Sequence, residues 1–165
     1  MRTGLWRRHV RWMYRGGRPN RLARVWNRLA ARQHAAGLGP RNWVTLEVPG
    51  RRTGRIVAVP LVVADHEGAR YLVSMLGDGV NWVANVRAAG GRAVLRHGGR
   101  EPVRLVEVAV ADRPPVLRRH LALAPGARPH VPVDRHAPLA DFARVAAGIP
   151  VFRITSAEPA PGKAG

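Results

Sequence analysis

The chain contains no cysteine, which excludes disulfides, thiolate metal sites and cysteine nucleophiles. Serine is almost as scarce: Ser74 and Ser156 are the only two, and neither sits in a G-x-S-x-G elbow. Acidic residues number ten, too few for a glycosidase-type pair of carboxylates to be expected. The seven histidines are scattered without H-E-x-x-H or comparable spacing, so no metal site is expected. No apolar run approaches the roughly 18 residues that span a bilayer. The N-terminal stretch "MRTGLWRRHVRWMYRGGRPN" lacks the continuous apolar segment of a secretory signal. A cytoplasmic location is therefore the default expectation.

What is abundant is arginine. Lys163 is the only lysine, so 27 of the 28 basic residues are arginine, and the net charge is +18. Together with plentiful Ala, Gly, Pro and Val this matches GC-rich coding, so part of the arginine is compositional. Its placement is more informative: eleven arginines precede the first acidic residue, Glu47. A chain this basic attracts an anionic surface or ligand: nucleic acid, acidic lipid or a polyanionic cofactor. At 165 residues and 46% apolar composition it is long enough for one domain with its own core.

Residues 20–36 read as a helix, with Leu22, Val25, Trp26 and Leu29 on one apolar face and Arg21, Arg24, Arg28 and Arg32 on the other side. Two readings of it stand side by side. One is a surface helix with a solvated basic face; the other is an interfacial helix at the inner face of the cell membrane, its arginines on anionic lipid. From residue 42 the pattern becomes β: 43–48, 55–63 and 70–76 are expected strands, with "ADHEGA" as a turn. Pro60 inside the second run marks an edge strand or a bulge. Residues 80–89 read as a short helix, and 92–97 with 101–110 as a hairpin across Gly98 and Gly99. A helix over 112–124, a Pro/His-rich loop over 125–139, a short helix from 139 and a strand over 150–154 complete the pattern. The expected organisation is a basic helical segment (1–41), a β domain (42–155) and a disordered tail (156–165). Hairpin-joined strands with helices at the ends predict an antiparallel barrel or α+β domain rather than a Rossmann sheet.

The chemistry concentrates in two loops. In "GRRTGR" (50–55), Gly50 and Gly54 permit backbone geometries that aim successive N–H groups at one anion. Arg51, Arg52 and Arg55 would surround that anion, with Thr53 as a further donor. A solvated hairpin tip is the plainer reading of the same residues. In "GDGVNW" (77–82), Asp78 argues against phosphate, but Asn81, Trp82 and Asn85 would line one wall of a cleft suited to a planar polar ring.

Taken in order, "GRRTG-x5-PL", "RYLVSMLGDG", "NWVANVRA" and "IPVFRI" resemble the deazaflavin-dependent nitroreductase family, actinobacterial oxidoreductases that use coenzyme F-420. The resemblance covers about residues 43–154. It implies a split β-barrel and hydride transfer from the reduced deazaflavin to a small acceptor: a quinone, enone or nitroaromatic. It also implies site residues. Gly50, Arg51, Arg52, Thr53 and Gly54 match the loop on the phosphate side of the cofactor. Pro60 and Leu61 match the P-L pair near the ring, and Trp82 and Asn85 match the W-x-x-N of the adjacent helix. Arg55, Ser74, Met75, Leu76 and Gly77 complete the cofactor set, and His130 is the candidate proton donor, with solvent as the alternative. The chain departs from the pattern at Val57, where many members carry an arginine, at its shorter Leu76–Gly79 loop, and in lacking the C-terminal tyrosines of the nitro-substrate pocket. FMN in the same fold is the alternative cofactor. A non-enzymatic basic module is the rival class; its N-terminal tryptophans suit lipid better than base stacking, so nucleic acid is not an expected partner.

Overall fold

A computed structural model describes residues 21–157; the first stretch of the basic segment (1–20) and residues 158–165 of the tail lie outside the described residues. Helix α1 (Arg21–Ala35) is followed by strands β1 (Trp43–Pro49), β2 (Ile56–Val62), β3 (Ala64–His66) and β4 (Ala69–Val73). Helix α2 (Asn81–Ala88), β5 (Arg92–Arg96), β6 (Arg100–Glu107), α3 (Arg113–Leu123), α4 (Leu139–Val145) and β7 (Val151–Ser156) complete the chain. The seven strands form one sheet in the order β2-β1-β5-β6-β7-β4-β3, and every neighbouring pair is antiparallel. It is a curled half-barrel, a split β-barrel with flanking helices, as the sequence predicts.

Two apolar clusters hold it. One lies inside the curl, where Leu46, Leu72, Leu95, Val103 and Phe152 meet Trp82, Val83 and Val86 of α2. The other packs Val116, Leu117 and Leu121 of α3 with Phe142 of α4 onto Val73 and Val151. Arg113, at the start of α3, is buried between these layers. Its guanidinium donates to the carbonyls of Val108 (2.9 Å), Ala146 (3.0 Å) and Ile149 (3.3 Å) and to Glu107 (3.3 Å).

Pro60 lies on β2, at one edge of the sheet, where it faces Thr45 and its missing N–H interrupts no second ladder. Two readings are corrected. "ADHEGA" is not all turn: Ala64–His66 form β3, paired to β4, and only Glu67 and Gly68 make the bend, with Glu67 at φ 47°. Ser156 belongs to β7, so the strand runs into the expected tail. The structure also decides which face of α1 meets the sheet. Its inward face is not the apolar one: Ala31 is buried against β1, the Thr45 hydroxyl donates to the Ala31 carbonyl at 2.5 Å, and the His34 ring meets the Val44 carbonyl at 3.3 Å. Small Ala30 and Ala31 let the backbone approach the strand closely, and that rotates Val25, Trp26 and Leu29 outward to 52%, 60% and 47% exposure. The side chain of Leu22 lies outside the described residues.

Candidate functional site

The β1–β2 hairpin tip (residues 50–55) is closed by its own backbone. The Gly50 amide donates to the Arg55 carbonyl and the Gly54 amide to the Gly50 carbonyl, both at 2.8 Å. Gly54 sits at φ 69°, a conformation that favours glycine over residues with a Cβ. The Arg51 amide donates to Asn85 Oδ1 (3.1 Å) and the Arg55 amide to Thr53 Oγ1 (3.3 Å). Four of the six amides are thus spent within the protein, which narrows the expected backbone cradle to the successive amides of Arg52 and Thr53. The tip also offers side chains. Arg51, Arg52 and Arg55 are exposed, and the Thr53 hydroxyl keeps its proton to donate.

Arg51 is held in place. Its Nη1 donates to Asn85 Oδ1 at 3.0 Å and its Nη2 to Asn81 Oδ1 at 3.5 Å. Asn85 is buried on α2 and is absent from the lining of the cleft, so it anchors the arginine from beneath rather than forming the wall. The cleft itself has a volume of about 310 Å³. The structure brings Arg51, Pro60, Leu61, Ser74, Met75, Leu76 and Trp82 together around it, joined by Asn27, Val57, Val59, Val73, Gly79, Val80 and Asn81. Trp82 is fixed by a tilted contact with Phe152, their ring centroids 5.6 Å apart. Ser74 is buried and donates its hydroxyl to the Gly77 carbonyl at 2.6 Å, which shapes the loop behind the cleft. Gly50, Arg52, Thr53, Gly54 and Arg55 lie on the adjoining tip rather than in the cleft lining, and Gly77 lies behind it.

The surrounding charge is organised so that the tip stays positive. Arg87 pairs with both Asp78 (2.8 Å) and Glu107 (2.7 Å), which raises its own pKa and holds the Glu107 carboxyl below its ordinary range. Glu47 is taken by Arg96, Asp65 by Arg119, Glu101 by Arg70 and Asp141 by Arg144. None of the ion pairs among the described residues reaches Arg51, Arg52 or Arg55.

His130 is not brought to the cleft: it follows the turn at Pro125–Ala127, its amide donating to the Ala127 carbonyl at 3.0 Å. Arg51 is the only ionisable residue among the described residues of the lining. No group of three potential metal ligands exists among the described residues, and none of their helices is long and apolar enough to cross a membrane. Sequence reasoning missed Asn27, whose place on α1 gave no signal, and placed Asn85 on the wall instead of under Arg51.

No family model matches the chain, and no curated protein matches it. Solved structures do. An Agrobacterium tumefaciens protein of unknown function is 10% identical with a TM-score of 0.53, over 80% of this chain and 54% of that one. An F-420-H2 dependent reductase is 17% identical with a TM-score of 0.46, over 70% of this chain and 95% of that one. A FAD-binding protein from Mesorhizobium loti is 16% identical with a TM-score of 0.46, over 79% and 89% of the two chains. Identities this low speak for the fold alone. By strand order and curvature, the chain is a split β-barrel protein.

Proposed function

We propose that the chain is an oxidoreductase that binds reduced coenzyme F-420 and delivers hydride from it to a small organic acceptor. The observation that carries this reading is the junction of an apolar cleft with a fixed arginine at its mouth and an uncompensated cationic tip beside it. The residues fit such a group. A volume of about 310 Å³ accommodates a fused planar ring and not a long anionic tail. A tail leaving the cleft past Arg51 meets Arg52, Arg55 and Thr53, donors matched to phosphate and carboxylate oxygens. Pro60, Leu61, Met75 and Trp82 supply flat apolar walls, and the buried Asn85 pre-sets Arg51, so little side-chain entropy is lost when it binds. When bound and reduced, the deazaflavin supplies the hydride, and the protein supplies orientation and charge. With no carboxylic acid or histidine among the described lining residues, we assign the proton that completes acceptor reduction to solvent.

Titration of the purified protein with oxidised coenzyme F-420 tests this. Binding below a few hundred micromolar is expected, weakened about tenfold or more in Arg51→Ala/Arg52→Ala; absence of binding rejects the reading. FMN in the same titration decides between the two cofactors, and a yellow protein carrying bound FMN favours the second.

A peripheral membrane contact is the companion proposal, favoured by one observation. Val25, Trp26 and Leu29 face outward on α1, with Arg24, Arg28 and Arg32 along its flank, the arrangement of a helix lying in a headgroup layer.

A further inference from the structure

Beside the cleft lies a second chamber of about 320 Å³, between β1, β2, β4 and the end of α3. The two share Pro60, Leu61, Val73 and Met75, so a molecule in the chamber lies against the cleft's own wall. Among the described residues, the lining carries no carboxylate, lysine or arginine. It is apolar apart from His34 and His120. His34 already has a partner, its Nδ1 on the Val44 carbonyl.

His120 does not. It is 4% exposed, and neither Nδ1 nor Nε2 has a hydrogen-bond partner. It stands on the buried stripe of α3 with Val116, Leu117 and Leu121, where an apolar residue would pack without loss. Leaving a buried donor or acceptor unmade is destabilising. Burial lowers its pKa to about 4, so the ring is neutral near pH 7 and carries one N–H and one lone pair.

We propose that the chamber is the acceptor pocket and that His120 is a polar handle in its wall, selecting neutral, mostly apolar molecules that carry one carbonyl or hydroxyl. Its place as acceptor pocket rests on the redox reading; its preference for such molecules does not. In a carbonyl reduction, hydride from the reduced coenzyme would go to the carbonyl carbon and a solvent proton to its oxygen, and a neutral imidazole can pair with the molecule before and after. Its N–H donates to the carbonyl of the oxidised molecule, and its lone pair accepts from the hydroxyl of the reduced one. Both nitrogens are covered in this structure, so pairing takes a turn of the ring about Cβ–Cγ, a torsion with broad minima. Anionic and cationic molecules are disfavoured because no opposite charge in the lining repays their desolvation.

The test is equilibrium binding of 2-naphthol and naphthalene to the cofactor-free full chain, followed by the probes' own fluorescence. The wild type is expected to prefer 2-naphthol by about five- to tenfold, the worth of one hydrogen bond. His120→Phe is expected to bind both alike. An absent preference in the wild type, or one that persists in His120→Phe, overturns the proposal. Should that variant fail to fold, the Cε1–H resonance of His120 in the wild type decides: it shifts with 2-naphthol and not with naphthalene, and an unmoved signal overturns the handle. Coenzyme F-420 titration separates the two readings. Its failure removes the redox role while the naphthol preference stands, and loss of the preference with coenzyme binding intact removes the handle alone.

Discussion

Asn85 and His120 are both buried polar side chains, and their surroundings give them opposite roles. Asn85 accepts two hydrogen bonds from Arg51, its amide N–H and its guanidinium, so the tip of one hairpin is fastened to a helix 34 residues further on. The resemblance put "GRRTG" and "NWVAN" in one site, but spacing alone could not show that one holds the other, because the contact is non-local. His120 was legible only as one of several histidines. The signal that would have found it is its position one helical turn after Val116, on an otherwise apolar face. Its lowered pKa gives a stability prediction. An unfolded histidine titrates near 6.5 and the folded one near 4, so between these values the unfolded chain binds more protons. The contribution is fully present above about pH 6.5 and is lost as pH falls toward 4, up to about 3 kcal/mol. Urea unfolding at pH 7 and pH 4.5 should show wild-type stability falling more steeply than that of His120→Phe. Parallel losses in the two proteins would place the effect elsewhere, for example in Glu107, whose lowered pKa acts in the same direction at lower pH.

Elements with a strong period were legible and their orientations less so. The strands announced themselves by apolar runs between glycine turns, and Pro60 correctly marked an edge, because the chemistry of a missing N–H is local. β3 was missed because three residues are too short to show alternation, and pairing with β4 creates the strand. α1 was found as a helix, but which of its faces meets the sheet was left open. A hydrophobic stripe normally faces the core, yet here the alanine stripe does, since only small side chains allow the approach to Thr45. The exposed stripe then makes a prediction of its own. The full chain should float with phosphatidylglycerol-containing vesicles, and Trp26→Ser/Leu29→Ser should reduce partitioning by tenfold or more, since each buried large apolar side chain contributes about 1.5–3 kcal/mol. Vesicles of phosphatidylcholine alone should bind more weakly, because the flanking arginines then lack anionic lipid. Equal flotation of both proteins would take α1 out of membrane contact.

On the scale of the whole molecule, the net charge of +18 raises the question of whether an anionic cofactor is held by a site or merely by a field. The ion pairs help to answer it. The carboxylates of Glu47, Asp65, Asp78, Glu101, Glu107 and Asp141 are engaged with other arginines, so none of them neutralises Arg51, Arg52 or Arg55, which share the surface with other arginines outside these pairs. Salt distinguishes the two cases. Screening shortens electrostatic reach to about 10 Å at 0.1 M, so diffuse attraction and exposed contacts both weaken as salt rises. Their dependence on the tip differs. Raising NaCl from 50 to 500 mM should increase the Kd for oxidised coenzyme F-420 by about tenfold or more, a steeper rise than in Arg51→Ala/Arg52→Ala. The same salt range should leave 2-naphthol binding nearly unchanged, because the described residues of its chamber include no carboxylate, lysine or arginine and its ligand is neutral. If the variant shows the full wild-type salt dependence, the attraction comes from the arginine-rich surface at large and the tip loses its role as anchor. If the dependence flattens in the variant while 2-naphthol is unaffected in both, the charge acts at the tip and the chamber acts by shape and one hydrogen bond, two parts of one site working by different physics.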